Sequence, residues 1–189
     1  MVDAVAIAGH VRTLAHGDAA AKARAAWGLW RLMCPPPGED PSEEPGRAIT
    51  AAGATFLLVE LLQSGGHGAR CAAGALANLA YNDDNRGAIA AAGAIAPLVE
   101  LMRNDRPDAK YGGAHALGNL AFKHHDNKVA IAAAGAIAPL VEVVRSGCAD
   151  AKASAAFALA NLAYNDDNKV AGGSAEARWR WDAKRSGLA

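Results

Sequence analysis

The chain has 189 residues, enough for one domain or a short array of repeats, and 19 basic residues balance 19 acidic ones. A net charge of zero argues against a dedicated nucleic-acid binder, whose phosphate contacts need a basic surplus. The chain is rich in alanine and only 5% of its residues are aromatic, which favours closely packed helices over sheets.

The cysteines and the apolar segments narrow the class of protein further. Cys34, Cys71 and Cys148 are odd in number and widely spaced, so they suggest neither a disulfide framework nor a metal knuckle. A reducing compartment, the cytoplasm or the nucleus, suits such thiols. No apolar run approaches the ~20 residues that cross a bilayer, so we expect no integral membrane span.

The first predicted helices lie in residues 1–34. The segment HVRTLAHGDAAAKARAAWGLWRL (10–32) aligns with LVELMRNDRPDAKYGGAHALGNL (98–120), which indicates a degenerate copy of a unit that recurs later. A Pro-rich acidic segment, PPPGEDPSEEP, follows it, and we predict a loop over 35–46.

Two independent motifs recur from residue 47 onward. The glycine of GATFLLVELL or GAIAPLVEL and the asparagine of ALANLAY or ALGNLAF return every 40 to 42 residues, at Gly53, Gly93 and Gly135, and at Asn78, Asn119 and Asn161. One period shared by two motifs is typical of a helical repeat array.

Each unit contains three predicted helices. Asp83 and Asp84 precede the first, short helix and would cap its free N–H groups, as Asp166 and Asp167 would in a later copy. Gly93 and Gly135 follow its last turn, where a left-handed residue commonly ends a helix. The second helix has Pro97 or Pro139 in its first turn, where the missing N–H is tolerated. The third, about 107–122 in the middle unit, buries Leu76 and Leu79, Leu117 and Leu120, or Leu159 and Leu162.

The polar stretch NLAYNDDN, at 78–85 and again at 161–168, could be a metal loop or a joint between helices. A calcium loop would alternate oxygen ligands over about twelve residues, with a turn glycine and a closing glutamate, and these are absent. We therefore predict a capped joint and no metal. His124 and His125 are neighbours that point about 100° apart on a helix, so they are expected to lie in a solvated joint.

No phosphate-binding, metalloprotease or nucleophile-elbow pattern is present, so we expect no catalytic residues, no cofactor and no enzyme activity. The glycine-rich GGHG at 65–68 is interpreted as the link between a second and a third helix.

The period, the three-helix unit, the GAIxPLVEL turn and the ALxNLA helix together resemble the armadillo repeat, over about 5–171. The copies look most like the arrays of the vacuolar-protein-8 type and of plant U-box proteins, and less like importin-α and β-catenin. The resemblance implies an all-α, right-handed solenoid with about three full repeats. The predicted segments are a partial repeat at 1–34, the loop 35–46, repeats at 47–82, 83–123 and 124–165, the start of a truncated repeat at 166–171, and a tail at 172–189.

The resemblance also implies a concave groove, lined by third helices, in which one Asn per repeat bonds the backbone of an extended peptide. Positions four before and four after each Asn share that face. In the alternative interpretation, the Asn side chains only satisfy neighbouring backbone carbonyls. The predicted groove residues are Trp27, Arg31, Asn78, Asn82, His115, Asn119, Lys123, Phe157, Asn161 and Asn165, with Gly74 where the first full copy lacks a side chain.

Three functions compete. The first is a non-catalytic scaffold or adaptor that binds a protein or peptide segment in the groove. The second is the substrate-binding armadillo region of a ubiquitin ligase whose catalytic domain is absent from this chain. The third is a structural spacer without a ligand. Nuclear-signal binding is not expected, because only Trp27 keeps the tryptophan that importin-α places before its Asn, and no acidic run accompanies it.

The terminal units are expected to expose apolar faces, so self-association through these ends is predicted. After Ala171 the sequence leaves the repeat pattern with GGSAEARWRWDAKRSGLA. This departure suggests a fragment or a misread gene end, with an evolved cap as the alternative.

Overall fold

A computed structural model describes residues 4–34, 44–104 and 106–164, and these residues form eleven helices and no strand. The two terminal segments predicted at 166–171 and 172–189, the groove residue Asn165 and most of the predicted loop lie outside the described residues. The all-helical prediction is confirmed for the part of the chain that the structure describes.

The helices follow the predicted three-helix unit, with two helices in the first copy. They are α1 (Ala4–His16) and α2 (Ala19–Leu32); α3 (Glu44–Ala51), α4 (Ala54–Gln63) and α5 (Gly66–Leu79); α6 (Asp83–Ala91), α7 (Ile95–Met102) and α8 (Pro107–Ala121); and α9 (His125–Ala133), α10 (Ile137–Ser146) and α11 (Ala149–Ala163).

Two helix starts differ from the sequence prediction. Helix α3 begins at Glu44, so the last three residues of the predicted loop 35–46 are helical; Pro45 is tolerated there because a first-turn residue needs no N–H partner. Helix α5 begins at Gly66, so most of the GGHG segment is helical and the link is shorter than expected.

A left-handed glycine joins the first and second helices of each full unit. Gly53, Gly93 and Gly135 have φ of 80°, 86° and 76°, a conformation in which a Cβ would be strained. This confirms the prediction for Gly93 and Gly135 and explains why the chain turns sharply between the two helices.

The helices pack in layers around one continuous core. The third helices α2, α5, α8 and α11 lie side by side, and the second helices α1, α4, α7 and α10 back them. Of the predicted leucine seam, Leu159 is only partly buried, while Leu76, Leu79, Leu117 and Leu120 are fully buried and Leu162 nearly so. Burying one such side chain contributes roughly 1.5–3 kcal/mol, so each stacked unit stabilises its neighbour. We call the outer surface of α2, α5, α8 and α11 the third-helix face.

Within the described residues, no single helix is long and apolar enough to cross a membrane. Two helix pairs meet the length and composition requirement together, α3 with α4 and α9 with α10, but they bend by 81° and 82° at their junctions.

Candidate functional site

The joint after α5 is held by side chains that follow the third helix. Asn82 has an extended backbone, and its side-chain oxygen accepts a hydrogen bond from the N–H of Asp84 at 2.9 Å. Asp83 and Asp84 lie inside the first turn of α6, where they suit the positive end of the helix dipole. The predicted joint is present, but its cap is Asn82 and not the aspartates, because only the residue before the helix can reach over the free N–H groups.

Arg86 closes the other side of this joint, a role that the sequence analysis missed. It is 4% exposed, and its guanidinium donates to the carbonyls of Ala80 at 2.8 Å and Tyr81 at 3.0 Å. Its charge is balanced by Asp83 at 2.6 Å. The carbonyls directly after α5 therefore have a charged partner where the helix itself supplies none.

The next joint uses His124 as the helix cap. Its Nδ1 accepts a hydrogen bond from the N–H of Asn127 at 3.3 Å, so this nitrogen carries no proton in that arrangement. Asn127 in turn donates to the carbonyls of Arg86 at 3.1 Å and Leu120 at 3.0 Å. His124 is therefore a half-buried helix cap within the predicted joint, while His125 is exposed. Within the described residues, no three His, Cys, Asp or Glu side chains are grouped so that they could hold a metal.

The predicted asparagines form a ladder between consecutive third helices. The side-chain nitrogen of Asn119 donates to the carbonyl of Ala77 at 2.9 Å, and that of Asn161 donates to the carbonyl of Gly118 at 3.1 Å. Each acceptor is the residue just before the Asn of the preceding repeat. Asn78 departs from this pattern and meets the Cys34 sulfur at 3.7 Å.

The hydrogen bonds of the ladder are those expected from the alternative interpretation, in which each Asn side chain satisfies a neighbouring backbone carbonyl. It uses only part of each amide, however, because an Asn side chain has two N–H donors and one acceptor oxygen. Asn119 is 5% exposed, and Asn78 and Asn161 are half-buried. One donor of Asn119 and one of Asn161 is committed to the fold.

Aromatic side chains join the same helices beside the ladder. The ring of Tyr81 lies 6.0 Å from that of His115, and the Tyr81 hydroxyl is 3.2 Å from the imidazole Nε2. One repeat later, the rings of Phe122 and Phe157 are also 6.0 Å apart. Both contacts link the position three after one Asn to the position four before the next. The sequence analysis missed Tyr81 and Phe122, although the recurring final residue of ALANLAY and ALGNLAF signals them.

Burial keeps the His115 cluster neutral. Desolvation lowers the pKa of His115 below its ordinary 6.5, because the charged imidazolium would lose water in this position. Tyr111, whose ring lies 5.4 Å from that of His115, has a raised pKa, first through desolvation and then through nearby groups that include Tyr81. At neutral pH this part of the third-helix face therefore presents uncharged rings.

The N-terminal part of the face is different. Trp27 is 49% exposed, and the guanidinium of Arg31 lies 4.9 Å from the centre of its ring. Gly74 lies beside the indole of Trp30, because a Cβ there would be 3.5 Å from Trp30 Cδ1, an ordinary van der Waals distance. An aromatic side chain from the preceding repeat thus borders the position at which Gly74 lacks a side chain.

The structure brings most of the predicted groove residues onto one surface. Lys123 is exposed at the end of that surface, with φ of 52° and its ammonium 5.2 Å from the Phe122 ring. Asn82 is the exception, because its side-chain oxygen caps the start of α6. We therefore leave Asn82 out of the peptide-contacting set proposed below.

No protein-family model matches the chain, and no curated protein matches it. Several solved structures are similar. An engineered protein is 31% identical with a TM-score of 0.75, over 85% of this chain and 64% of its own length. A designed armadillo repeat protein in complex with peptide (KR)4 is 24% identical with a TM-score of 0.78, over 90% of this chain and 70% of its own. Computationally designed armadillo repeat proteins for modular peptide recognition match with the same identity and TM-score.

This chain spans slightly less than two thirds of the length of the engineered protein. The finer resemblance to arrays of the vacuolar-protein-8 or plant U-box type remains a prediction. The helix order, the side-by-side third helices and the similarity to the designed proteins lead to one conclusion about the fold: the described residues form an armadillo-repeat solenoid.

Proposed function

We propose that this chain is a non-catalytic interaction module that holds an extended segment of a partner protein along its third-helix face. The observation that carries the proposal is the ladder of Asn119 and Asn161, which stand in register on adjacent helices with amide groups that the fold uses only in part. The second N–H and the oxygen of these two amides match the alternating C=O and N–H groups of an extended backbone.

The aromatic residues beside the ladder support the same function. Trp27 and Phe157 are 49% and 41% exposed, and Tyr81 is 60% exposed. Exposed rings that are fixed by neighbouring rings offer apolar contact at little cost in side-chain entropy, which is typical of binding surfaces. In this proposal the asparagines hold the peptide backbone, while Trp27, His115 and Phe157 select side chains.

The similar designed proteins are named for peptide recognition, which supports a binding scaffold and not an enzyme. No observation favours the alternative of a ligase substrate-binding region. The proposal includes a reducing compartment, which agrees with free thiols at Cys34, Cys71 and Cys148.

A screen of the full chain against a random library of extended peptides tests the proposal, followed by substitution of Asn119. We expect Asn119→Ala to weaken binding by about 1–3 kcal/mol for most selected peptides, because about two backbone hydrogen bonds of roughly 0.5–1.5 kcal/mol each are lost. Titration calorimetry of wild type and variant measures this difference.

Asn85→Ala is the matched control. Asn85 is also 5% exposed and also donates to a backbone carbonyl, that of Leu79 at 3.0 Å, but it lies in the joint and not on the third-helix face. It should lower stability about as much as Asn119→Ala and leave peptide affinity unchanged. Equal losses of affinity in both variants, or full affinity in Asn119→Ala, would mean that the ligand is bound elsewhere.

A further inference from the structure

We infer that the N-terminal end of the third-helix face is a pocket for acidic side chains, so that the partner segment is an acidic peptide. The inference rests on the proposed function and specifies the chemistry of the ligand. The pocket has a volume of about 410 Å³ and is lined by His10, Arg24, Trp27, Gly28, Arg31 and Leu32.

The geometry of α2 brings the two arginines to one side of the helix. Arg24, Gly28 and Arg31 follow a spacing of four and three residues, which places them in one row. His10 reaches this row from α1, because Gly28 has no Cβ: one would lie 2.4 Å from the imidazole Cε1. The missing side chain at Gly28 thus lets a third basic residue lie between the two arginines.

The arginines of the pocket have no carboxylate partner among the described residues. Elsewhere in the array, Arg70 pairs with Asp108 at 2.7 Å, and Arg86 pairs with Asp83. Arg24 and Arg31 are exposed, and the contact of Arg31 that the structure shows is with the Trp27 ring. Within the part of the chain that the structure describes, no carboxylate competes with a ligand for these charges, and the ring orients the guanidinium of Arg31.

A second cavity has a different charge pattern. It has a volume of about 460 Å³, is lined by residues of α7, α8 and α10 among others, and contains Glu142 together with Arg103 and Lys110. Arg103 also pairs with Glu100, so the basic groups of this cavity have carboxylates nearby, whereas none of the described residues that line the N-terminal pocket is acidic. A planar guanidinium binds a carboxylate through two parallel hydrogen bonds, so two such groups suit closely spaced Asp or Glu residues.

The bound peptide in the similar designed protein is (KR)4, which is basic. The pocket in this chain predicts the opposite preference. Lys123, exposed just after α8, adds another positive charge to the face. Fold similarity therefore does not carry over to ligand charge, which is decided by the side chains on the face.

Three labelled octapeptides test the inference with the full chain: serine alternating with glutamate, glutamine or lysine, measured by fluorescence anisotropy. We expect the glutamate peptide to bind at least about tenfold more tightly than the glutamine peptide, since charge-assisted hydrogen bonds are the stronger kind. The advantage should shrink as salt is raised, because exposed charges are screened.

Arg24→Gln and Arg31→Gln should each remove most of the preference for the glutamate peptide over the glutamine peptide. Arg12→Gln is the matched control, because Arg12 is exposed on α1 and does not line the pocket. Circular dichroism of all three variants monitors the fold. An equal loss of this preference in Arg12→Gln would show that only the net charge of the chain decides peptide binding, and it would overturn the inference.

Other outcomes separate the inference from the proposed function. Preference for the lysine peptide, or equal binding of all three, would overturn the acidic pocket; the proposed function would stand if glutamine-peptide binding still falls in Asn119→Ala. A peptide with phosphoserine that binds while the glutamate peptide does not would overturn the assignment to carboxylates. If none of the three binds, the acidic pocket is wrong, and the library screen decides the proposed function.

Discussion

The same surface of the third helix is buried in α5 and α8 and exposed in α11, the last helix that the structure describes. Ala73 and Ala77 of α5, and Ala80 directly after it, are fully buried where α5 packs on α8, and the equivalent residues of α8 are buried where it packs on α11. In α11 the equivalent residues Ala156, Ala160 and Ala163, which we call the end face, are exposed. The local sequence ALANLA is identical in α5 and α11, so position in the array alone decides this burial.

The largest effect is expected from enlarging one residue at equivalent positions. Ala77→Leu should destabilise the protein by about 1–3 kcal/mol, because three extra carbons must enter a fully packed interface. Ala160→Leu should change stability by less than about 0.5 kcal/mol, because its side chain faces solvent. Urea unfolding measures both. A large loss in Ala160→Leu would mean that another segment covers the end face.

Self-association through the end face would follow from the same comparison, because small apolar residues that are buried between interior repeats are exposed here. Changing Ala156 and Ala160 together to Lys should weaken self-association of the chain at least about tenfold, by placing two charges in the contact. Sedimentation equilibrium measures the association constant. The matched control is Ala88 and Ala91 together to Lys, at exposed positions of α6 in an interior repeat. Unchanged association in the first variant would contradict the prediction.

The asparagine ladder provides a smaller effect on stability. Asn119→Ala should cost about 1 kcal/mol, because it leaves the buried carbonyl of Ala77 without this donor. Asn161→Ala should cost less, since Asn161 is half-buried and terminal repeats fray. Thermal unfolding compares the two variants. Equal losses would show that α11 is held as firmly as α8.

The smallest effect on stability is expected from a change of pH. It distinguishes the aromatic contact made by His115 from the equivalent contact made by Phe157. Burial lowers the pKa of His115 in the folded chain, so the unfolded chain binds a proton more readily. The contribution of His115 to the folding stability is present above about pH 6.5. It is lost as the pH falls through the lower pKa that His115 has in the folded chain. His115→Phe should remove this dependence, since the equivalent Phe157 does not titrate. Unfolding measurements on wild type and variant between pH 7.5 and pH 5 test this prediction. A variant whose stability depends on pH as the wild type's does would contradict it.

Much of the fold could be predicted because it is repeated along the chain. The period of Gly93 and Gly135 located the helix breaks, since a left-handed residue is a local requirement of the backbone. The period of Asn119 and Asn161 located the third-helix face, since residues four apart share a helix side. The joint was also predictable, although its cap was assigned to Asp83 and Asp84 and not to Asn82, because several adjacent polar residues can each cap a helix.

The sequence by itself determined the helices, their order and the helix face that the predicted groove residues share, because these depend on spacing and on backbone preference within a few residues. Tertiary structure decided what each side chain on that surface does. It paired Tyr81 with His115, placed Trp30 beside Gly74, committed one donor of Asn119 to Ala77, and placed His10 between Arg24 and Arg31. These contacts join residues from different helices, and their distances follow from how the helices pack and not from any local pattern.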